Sequence, residues 1–110
     1  MGLAKTEIFT DKQNEIALFA KAFGHPARVS ILQYLFKIDS CVCRDIEDEI
    51  GLAQPTISQH LKELKQLGLI KGNVEGTSVC YCINEEKWAA MKSLMSEFLN
   101  QDSTNNPSCC

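Results

Sequence analysis

The stretch from Gly51 to Gly68 constrains the fold of this chain more than any other. Pro55 suits the first turn of a helix, because a missing N–H costs nothing there, and Gly68 suits the helix end. Between them, four aliphatic residues recur at helical spacing as one apolar stripe: Ile57, Leu61, Leu64 and Leu67. The opposite face is polar and carries no acid: Pro55, Ser58, Gln59, Lys62 and Gln66. The sequence therefore predicts an amphipathic helix with an open polar face.

A second helix and a hairpin surround this stretch. Residues 43–50 read as a shorter helix that Gly51 breaks, and two helices joined by a short turn with glycine describe a helix-turn-helix. An ordinary pair of antiparallel helices would show the same pattern. After Gly68, a β-like run to Val74, a turn at Glu75-Gly76 and strict alternation over residues 78–83 predict a β-hairpin. The expected fold is mostly α with a β-hairpin, a winged helix-turn-helix.

The remaining helices are predicted from caps and apolar stripes. Thr10 and Gln13 resemble a capping box, and Pro26 suits the first position of the next helix. The stripe of the first helix is Ile16, Phe19, Ala20 and Phe23, and the predicted buried face of the next is Val29, Leu32, Leu35 and Phe36. Asn84 can cap the last helix, whose apolar face is Trp88, Met91, Leu94, Met95, Phe98 and Leu99.

These elements make one domain, residues 11–100, between a loose arm (1–10) and a tail (101–110) of disordered composition that ends in Cys109-Cys110. A chain of 110 residues has little core to cover the stripes of both its first and last helices. We therefore expect a homodimer through those two helices. The alternative is that they bury each other within a monomer.

Charge and hydropathy limit the classes of function. A net charge of −3 argues against indiscriminate coating of nucleic acid, but Lys62, Lys65 and Lys71 outnumber Glu63 between positions 54 and 72. A local DNA reader remains compatible with this distribution. The apolar runs are too short to span a bilayer and no secretory pattern opens the chain, so a cytoplasmic protein without a membrane partner is expected.

Six cysteines come as three close pairs, Cys41/Cys43, Cys80/Cys82 and Cys109/Cys110. Disulfide scaffolds are rare in the cytosol, so this pairing indicates ligand chemistry. Cys80 and Cys82 share one face of the predicted strand, roughly 7 Å apart. They could bind a soft ion or a methylated arsenical, although filling the core or wing is the favoured interpretation.

Three segments together resemble the arsenical-resistance repressor (ArsR/SmtB) family of metal-sensing winged-helix repressors. They run over residues 23–32, 40–46 and 52–62, and the likeness continues through residues 67–70 and the Gly76 to Ile83 hairpin. The resemblance implies a homodimer that sits on double-stranded operator DNA and blocks transcription until a metal or metalloid binds.

The resemblance also implies roles on the second helix of the pair. Gln54, Thr56, Ser58 and Gln59 fall where the family reads the major groove, and Lys62 falls where a phosphate is held. His60 lies beside the apolar stripe, so a structural role is expected for it. Family members often carry arginine near the wing tip, whereas this chain has Thr77 and Ser78, so a strong phosphate clamp is not expected there.

Cys41 and Cys43 match the family motif Cys-Val-Cys, which implies thiolate ligands for arsenite or antimonite, or for cadmium or lead. The position of a third cysteine in some relatives is Ile46 here. Cys109 and Cys110 are therefore candidate third ligands on a tether reaching roughly 15 Å, or else exposed thiols without a ligand role. With only His25 and His60 in the chain, a zinc or nickel sensor is not expected.

The function predicted from the sequence is a metalloid-responsive transcriptional repressor, released when trivalent arsenic or antimony binds cysteine thiolates, with no organic cofactor. One alternative is the same repressor sensing cadmium, lead or thiol oxidation. The distant alternative is an enzyme, a small thiol oxidoreductase or arsenate reductase. The chain has neither Cys-x-x-Cys nor a phosphate-type anion loop, so an enzyme is not expected.

Overall fold

The computed structural model of the chain describes residues 8–38, 41, 46–76 and 78–103. Within these ranges the fold is mostly helical with a β-hairpin, as predicted. The elements are α1 (Asp11–Ala22), α2 (Pro26–Lys37), α3 (Ile46–Ile50), α4 (Gln54–Gln66), β1 (Ile70–Glu75), β2 (Ser78–Ile83) and α5 (Glu85–Leu99). Of the predicted arm only residues 8–10 are described, and of the predicted tail only residues 101–103.

Side-chain caps fix where three of the helices begin. The predicted capping box of α1 is present: Gln13 N–H donates to Thr10 Oγ1 at 3.1 Å, and Thr10 N–H donates to Gln13 Oε1 at 3.0 Å. Asn84 caps α5 by accepting from Lys87 N–H at 3.2 Å, also as predicted. At α2 the cap is His25, whose Nδ1 accepts from Ala27 N–H at 3.0 Å. These bonds satisfy amide groups that the helices leave without intrahelical partners.

The end of α4 is a Schellman motif, which fixes how the helix continues into the hairpin. Gly68 has φ +82°, and its N–H donates to Lys65 O at 2.9 Å. Leu69 N–H donates to Leu64 O at 3.2 Å, and both leucine side chains are fully buried. The junction between α4 and β1 is therefore sealed by backbone hydrogen bonds and by an apolar contact.

The hairpin begins in the core and ends in solvent. β1 and β2 pair antiparallel, with Ile70 opposite Ile83 at the base and Val74 opposite Val79 near the turn. Ile70 is buried, whereas Val74 is 76% exposed. α4 packs against β1, so the base of the hairpin is held beside α4.

The buried face of α2 differs from the predicted one. Val29 and Phe36 are 37% and 49% exposed, so placing them in the core was wrong. Leu32 and Leu35 are buried as predicted, together with Ala27 and Ile31. The reason is that α2 contacts α3, α4 and β2, which turns its buried face toward Ala27 and Ile31. Phe36 instead packs edge-on against Trp88 of α5, with ring centroids 4.7 Å apart.

The first and last helices contact each other within the chain, and Lys12 of α1 forms an ion pair with Glu97 of α5. On α5 only Met91 is buried, while Phe98 and Leu99 remain exposed. Large apolar side chains therefore remain exposed next to the start of α1 and at the end of α5: Ile8, Phe9, Phe98 and Leu99. Among the described residues, no helix combines the length and the apolar character that crossing a bilayer requires.

Candidate nucleic-acid interface and thiol site

The polar face of α4 is open along its length. All five residues predicted to contact DNA are exposed: Gln54, Thr56, Ser58, Gln59 and Lys62. On the other side of the helix Ile57, Leu61 and Leu64 are buried, which confirms the predicted stripe. The helix is therefore anchored by one side and offers amide, hydroxyl and ammonium groups on the other.

Arg28 of α2 ties α4 into the domain by three contacts. Its guanidinium forms an ion pair with Glu63, donates from Nε to His60 Nδ1 at 3.2 Å and donates from Nη1 to Lys21 O at 2.9 Å. Glu63 is the single acid of α4. Because Glu63 is paired with Arg28, the positive charge of Lys62 on the exposed face of α4 is not compensated by an acid of the same helix.

His60 is part of this anchor. It is 8% exposed, and its ring centroid lies 4.6 Å from that of His25. Burial, followed by the charges of His25 and Arg28, lowers the pKa of His60 below its ordinary value. A neutral imidazole that accepts a hydrogen bond from Arg28 fits this environment. The predicted structural role of His60 agrees with its placement.

A cavity of about 260 Å³ lies at the base of the hairpin, which we call the thiol pocket. It is enclosed by the end of α2 and the loop that follows, the first turn of α5 and both strands. Its apolar lining is Leu35, Phe36, Ile38 and Ile83, and its polar lining is Cys41, Lys71, Cys82 and Glu85. The pocket therefore combines two sulfurs with one cationic and one anionic side chain.

Two cysteines meet in the thiol pocket although they are far apart in sequence. Cys41 is exposed, Cys82 is half-buried, and both are free thiols. A hydrogen bond with Cys41, aided by burial, raises the pKa of the Cys82 thiol above its ordinary value. A thiol held in its protonated form reacts poorly with oxidants, because the thiolate is the reactive species. The same proton must leave before Cys82 can bind a metal, because a cysteine binds metal only as the thiolate.

Cys80 differs from its neighbour. It is completely buried and takes part in a disulfide, so it is not counted among the free sulfurs of the pocket. Interpreting Cys80 as a core residue agrees with its burial. Cys82 is only half-buried and lines the pocket with Cys41, so for Cys82 the same interpretation stays a prediction. A sequence signal existed, since Cys-x-Cys occurs both at Cys41 and at Cys80.

Of the four cysteines predicted to bind metal, the structure describes only Cys41. Cys43, Cys109 and Cys110 lie outside the described residues, as does Thr77 of the predicted wing tip. Within the described part of the chain, no group of three or more histidine, cysteine, aspartate or glutamate side chains could hold a metal ion. What the structure does bring together is one predicted ligand, Cys41, and one cysteine that sequence reasoning set aside, Cys82.

Comparison with known proteins decides the family. The family model described as "Bacterial regulatory protein, arsR family" matches residues 25–71, from the cap of α2 into β1. An uncharacterised HTH-type transcriptional regulator of Methanocaldococcus jannaschii is 41% identical over 88 residues, which cover 79% of this chain and 98% of that protein. The chain belongs to the arsR family.

Solved structures show the same fold as this arsR-family protein. The transcriptional repressor BigR from Xylella fastidiosa is 25% identical with a TM-score of 0.62, over 83% of this chain and 92% of that one. A homodimeric winged helix-turn-helix DNA-binding domain from Mycobacterium bovis, solved in solution, is 24% identical with a TM-score of 0.62, over 89% and 97% of the two chains. The arsR-family protein is therefore a winged helix-turn-helix transcriptional regulator that binds DNA, and not an enzyme.

Proposed function

We propose that this arsR-family regulator is a repressor that holds operator DNA as a homodimer in the cytoplasm. In this proposal it leaves the DNA when trivalent arsenic or antimony binds its cysteine thiolates. The observation that carries the DNA half is the open polar face of α4. The observation that carries the sensing half is the exposed thiol of Cys41 beside the hairpin base.

The chemistry of the α4 face suits reading of the major groove. Gln54 and Gln59 can each pair with adenine through two hydrogen bonds, and Thr56 and Ser58 can donate or accept at either base type. Lys62 holds a phosphate, which fixes register and not sequence. The Gln54 amide donates to Ser58 Oγ at 3.4 Å, so the two side chains are already aligned on one face.

The proposed contact of α4 with DNA fits a homodimer formed through α1 and α5. A second copy of the same surface would bury the exposed apolar side chains at that end of the chain, which are Ile8, Phe9, Phe98 and Leu99. The related M. bovis domain is homodimeric in solution. Two copies of α4 could then enter successive major grooves about 34 Å apart.

Soft thiolate ligands favour soft ions, so arsenite and antimonite are the proposed inducers, and cadmium and lead share the preference. Cys41 and Cys43 supply the first two thiolates in this proposal. Cys109 and Cys110 at the chain end are the candidates that the sequence offers for a third. Ligand binding and DNA binding are then linked, because each must weaken the other by the same factor.

Release of labelled DNA tests the proposal. A duplex enriched from a random library with the pure protein is bound, and fluorescence anisotropy follows its release by arsenite, antimonite, cadmium and peroxide under matched reductant. Arsenite is expected to release the wild type but not the Cys41→Ser/Cys43→Ser variant. Ser93→Ala, an exposed position on α5, is the control and should behave as wild type. If arsenite releases DNA from the double variant at the same concentration as from the wild type, this route is ruled out.

A further inference from the structure

We propose that Cys82 of the hairpin and Cys41 bind the same thiophilic ion, so that the thiol pocket joins the sensor to the wing. This inference deepens the proposed function and rests on it for the identity of the ion, trivalent arsenic. It assigns to Cys82 the role of thiolate ligand that the sequence had offered to Cys109 or Cys110.

The geometry of the two sulfurs carries the proposal. Cys41 and Cys82 line the same pocket although they belong to a loop and to a strand. The pocket around them has a volume of about 260 Å³ and contacts solvent through the exposed Cys41. A water molecule occupies about 30 Å³ in the liquid, so the pocket has room for an ion and its remaining oxygen ligands.

The binding step balances without any oxidant or reductant. Arsenous acid carries three hydroxyl groups on trivalent arsenic. Each thiol forms one As–S bond and breaks one As–O bond, and the thiol proton leaves with the displaced hydroxide as water. Two thiols therefore release two waters, and arsenic remains trivalent. Lys71 and Glu85 line the pocket beside the two thiols.

Preorganisation favours Cys82 over a thiol in the chain end. Cys82 is held by the β-ladder opposite Lys71, so its sulfur is already beside Cys41 before any ion arrives. A ligand that is already in position pays less of the ordering cost of binding than one that must be brought to the ion. If two thiols are chemically equivalent, the one already in position binds the ion more tightly.

The position of Cys82 also gives the ion a route to α4. Cys82 pairs with Lys71, and the next residue of β1 is Gly72. A Cβ atom at Gly72 would lie 3.3 Å from Lys65 Nζ of α4 and 3.3 Å from the ring of Tyr81, so strand and helix are in close contact there. Drawing Cys82 toward an ion held by Cys41 displaces the base of the hairpin against α4. The DNA-reading face is thereby coupled to the pocket.

X-ray absorption of the arsenite-loaded full chain tests the assignment by counting sulfurs on arsenic. In Cys82→Ser the count is expected to fall by one, and arsenite affinity should fall at least by the ~10–100-fold that loss of an outer-shell partner causes at metal sites. Cys110→Ser tests the competing ligand at the chain end, and both values should stay as in the wild type. Unchanged sulfur count and affinity in Cys82→Ser would overturn the proposal.

A second experiment needs no substitution, so it stands even if Cys82→Ser folds poorly. A monosubstituted trivalent arsenical bridges two thiols, and peptide mass mapping of the treated wild type identifies which two. A bridge between peptides containing Cys41 and Cys82 is expected. Bridging confined to Cys109 and Cys110 would contradict it.

The two proposals fail in different ways. If arsenite binds with Cys82 in its sulfur shell but leaves DNA bound, the repressor-release function is wrong and the ligand assignment stands. If arsenite releases the wild type and Cys82→Ser equally well, the function stands and the ligand assignment is wrong.

Discussion

At the scale of single residues, the contacts behind α4 explain how a polar helix face is held in place. Arg28 contacts Glu63, His60 and the carbonyl of Lys21, so one guanidinium connects α1, α2 and α4. Hydrogen bonds to charged groups contribute more than neutral ones, roughly 1.5–3 kcal/mol each. The position of the exposed α4 face therefore depends on residues outside that face.

The pKa of His60 predicts how stability varies with pH. Because burial lowers this pKa in the folded chain, the unfolded chain takes up the proton more readily. Neutral His60 makes its full contribution to the free energy of unfolding above pH 6.5, which is about the pKa of histidine in the unfolded chain. That contribution is lost as the pH falls from there toward the lower pKa of His60 in the folded chain. Urea unfolding of wild type between pH 7.5 and 5.5 should show this loss, and His60→Gln should show a smaller one. Parallel pH profiles for the two proteins would contradict the assignment.

Substitution of Gly68 is expected to destabilise the fold because of the backbone conformation at this position and not because of a steric clash. Its φ is +82°, and an added Cβ would make only ordinary contacts with Lys87 at 3.5 Å. Gly68→Ala should lower the free energy of unfolding by about 1–2 kcal/mol, the cost of a left-handed residue. Gly68→Asn should cost less, because asparagine tolerates this region. Denaturant titration of both variants measures the order, and an equal cost for Ala and Asn would point to a different cause.

At the scale of elements, α4 and the hairpin form one unit. The Schellman motif at Gly68 joins them without a free linker, and β1 then packs back on α4. A change at the base of the hairpin therefore has a short path to the exposed face of α4.

On the exposed face of α4, we expect Lys62 to contribute to DNA affinity and Gln59 to base preference. In a dimer, Lys62→Ala removes two phosphate contacts, so the slope of log K against log salt should become shallower by about 2. Binding should weaken to a similar extent on every sequence. Gln59→Ala should keep the salt slope and relax base preference at one position of each half-site. Anisotropy titrations over a range of salt concentration distinguish the two, and a salt slope unchanged in Lys62→Ala would place this lysine away from the phosphates.

Local patterns predicted most of these elements. The caps at Thr10 and Asn84, the stripe on α4 and the hairpin follow from short-range spacing, which a sequence displays directly. The buried face of α2 was partly wrong, because Val29 and Phe36 are as apolar as the residues that are buried and tertiary contacts choose between them. The approach of Cys82 to Cys41 depends on how β2 packs beside the end of α2, and no local period encodes that.

At the scale of the whole molecule, the chain leaves apolar surface at the α1–α5 end while the exposed face of α4 is polar. This separation suits a protein that pairs with itself by one surface and reads DNA with another. A net charge of −3 limits nonspecific attraction to DNA. Affinity for DNA must therefore come mainly from the specific contacts of the two α4 faces in a dimer.

Association should therefore depend on the exposed end of α5. Phe98→Ser/Leu99→Ser removes two exposed apolar side chains, 48% and 70% accessible in the single chain. Sedimentation equilibrium should show weaker dimerisation and an unchanged monomer fold by circular dichroism. Val74→Ser, 76% exposed near the hairpin turn, is the control and should leave the mass unchanged. A dimer of wild-type stability in the double variant would place the interface elsewhere.

The most direct test of a repressor that exchanges DNA for a thiophilic ion is reciprocal calorimetry. Arsenite is titrated into the free protein and into the operator complex, and operator DNA into the free and the arsenite-loaded protein. Linkage requires arsenite affinity to fall on DNA by the same factor by which operator affinity falls with arsenite bound, typically about 5–150-fold. Equal arsenite affinity on and off the operator would contradict the proposed mechanism.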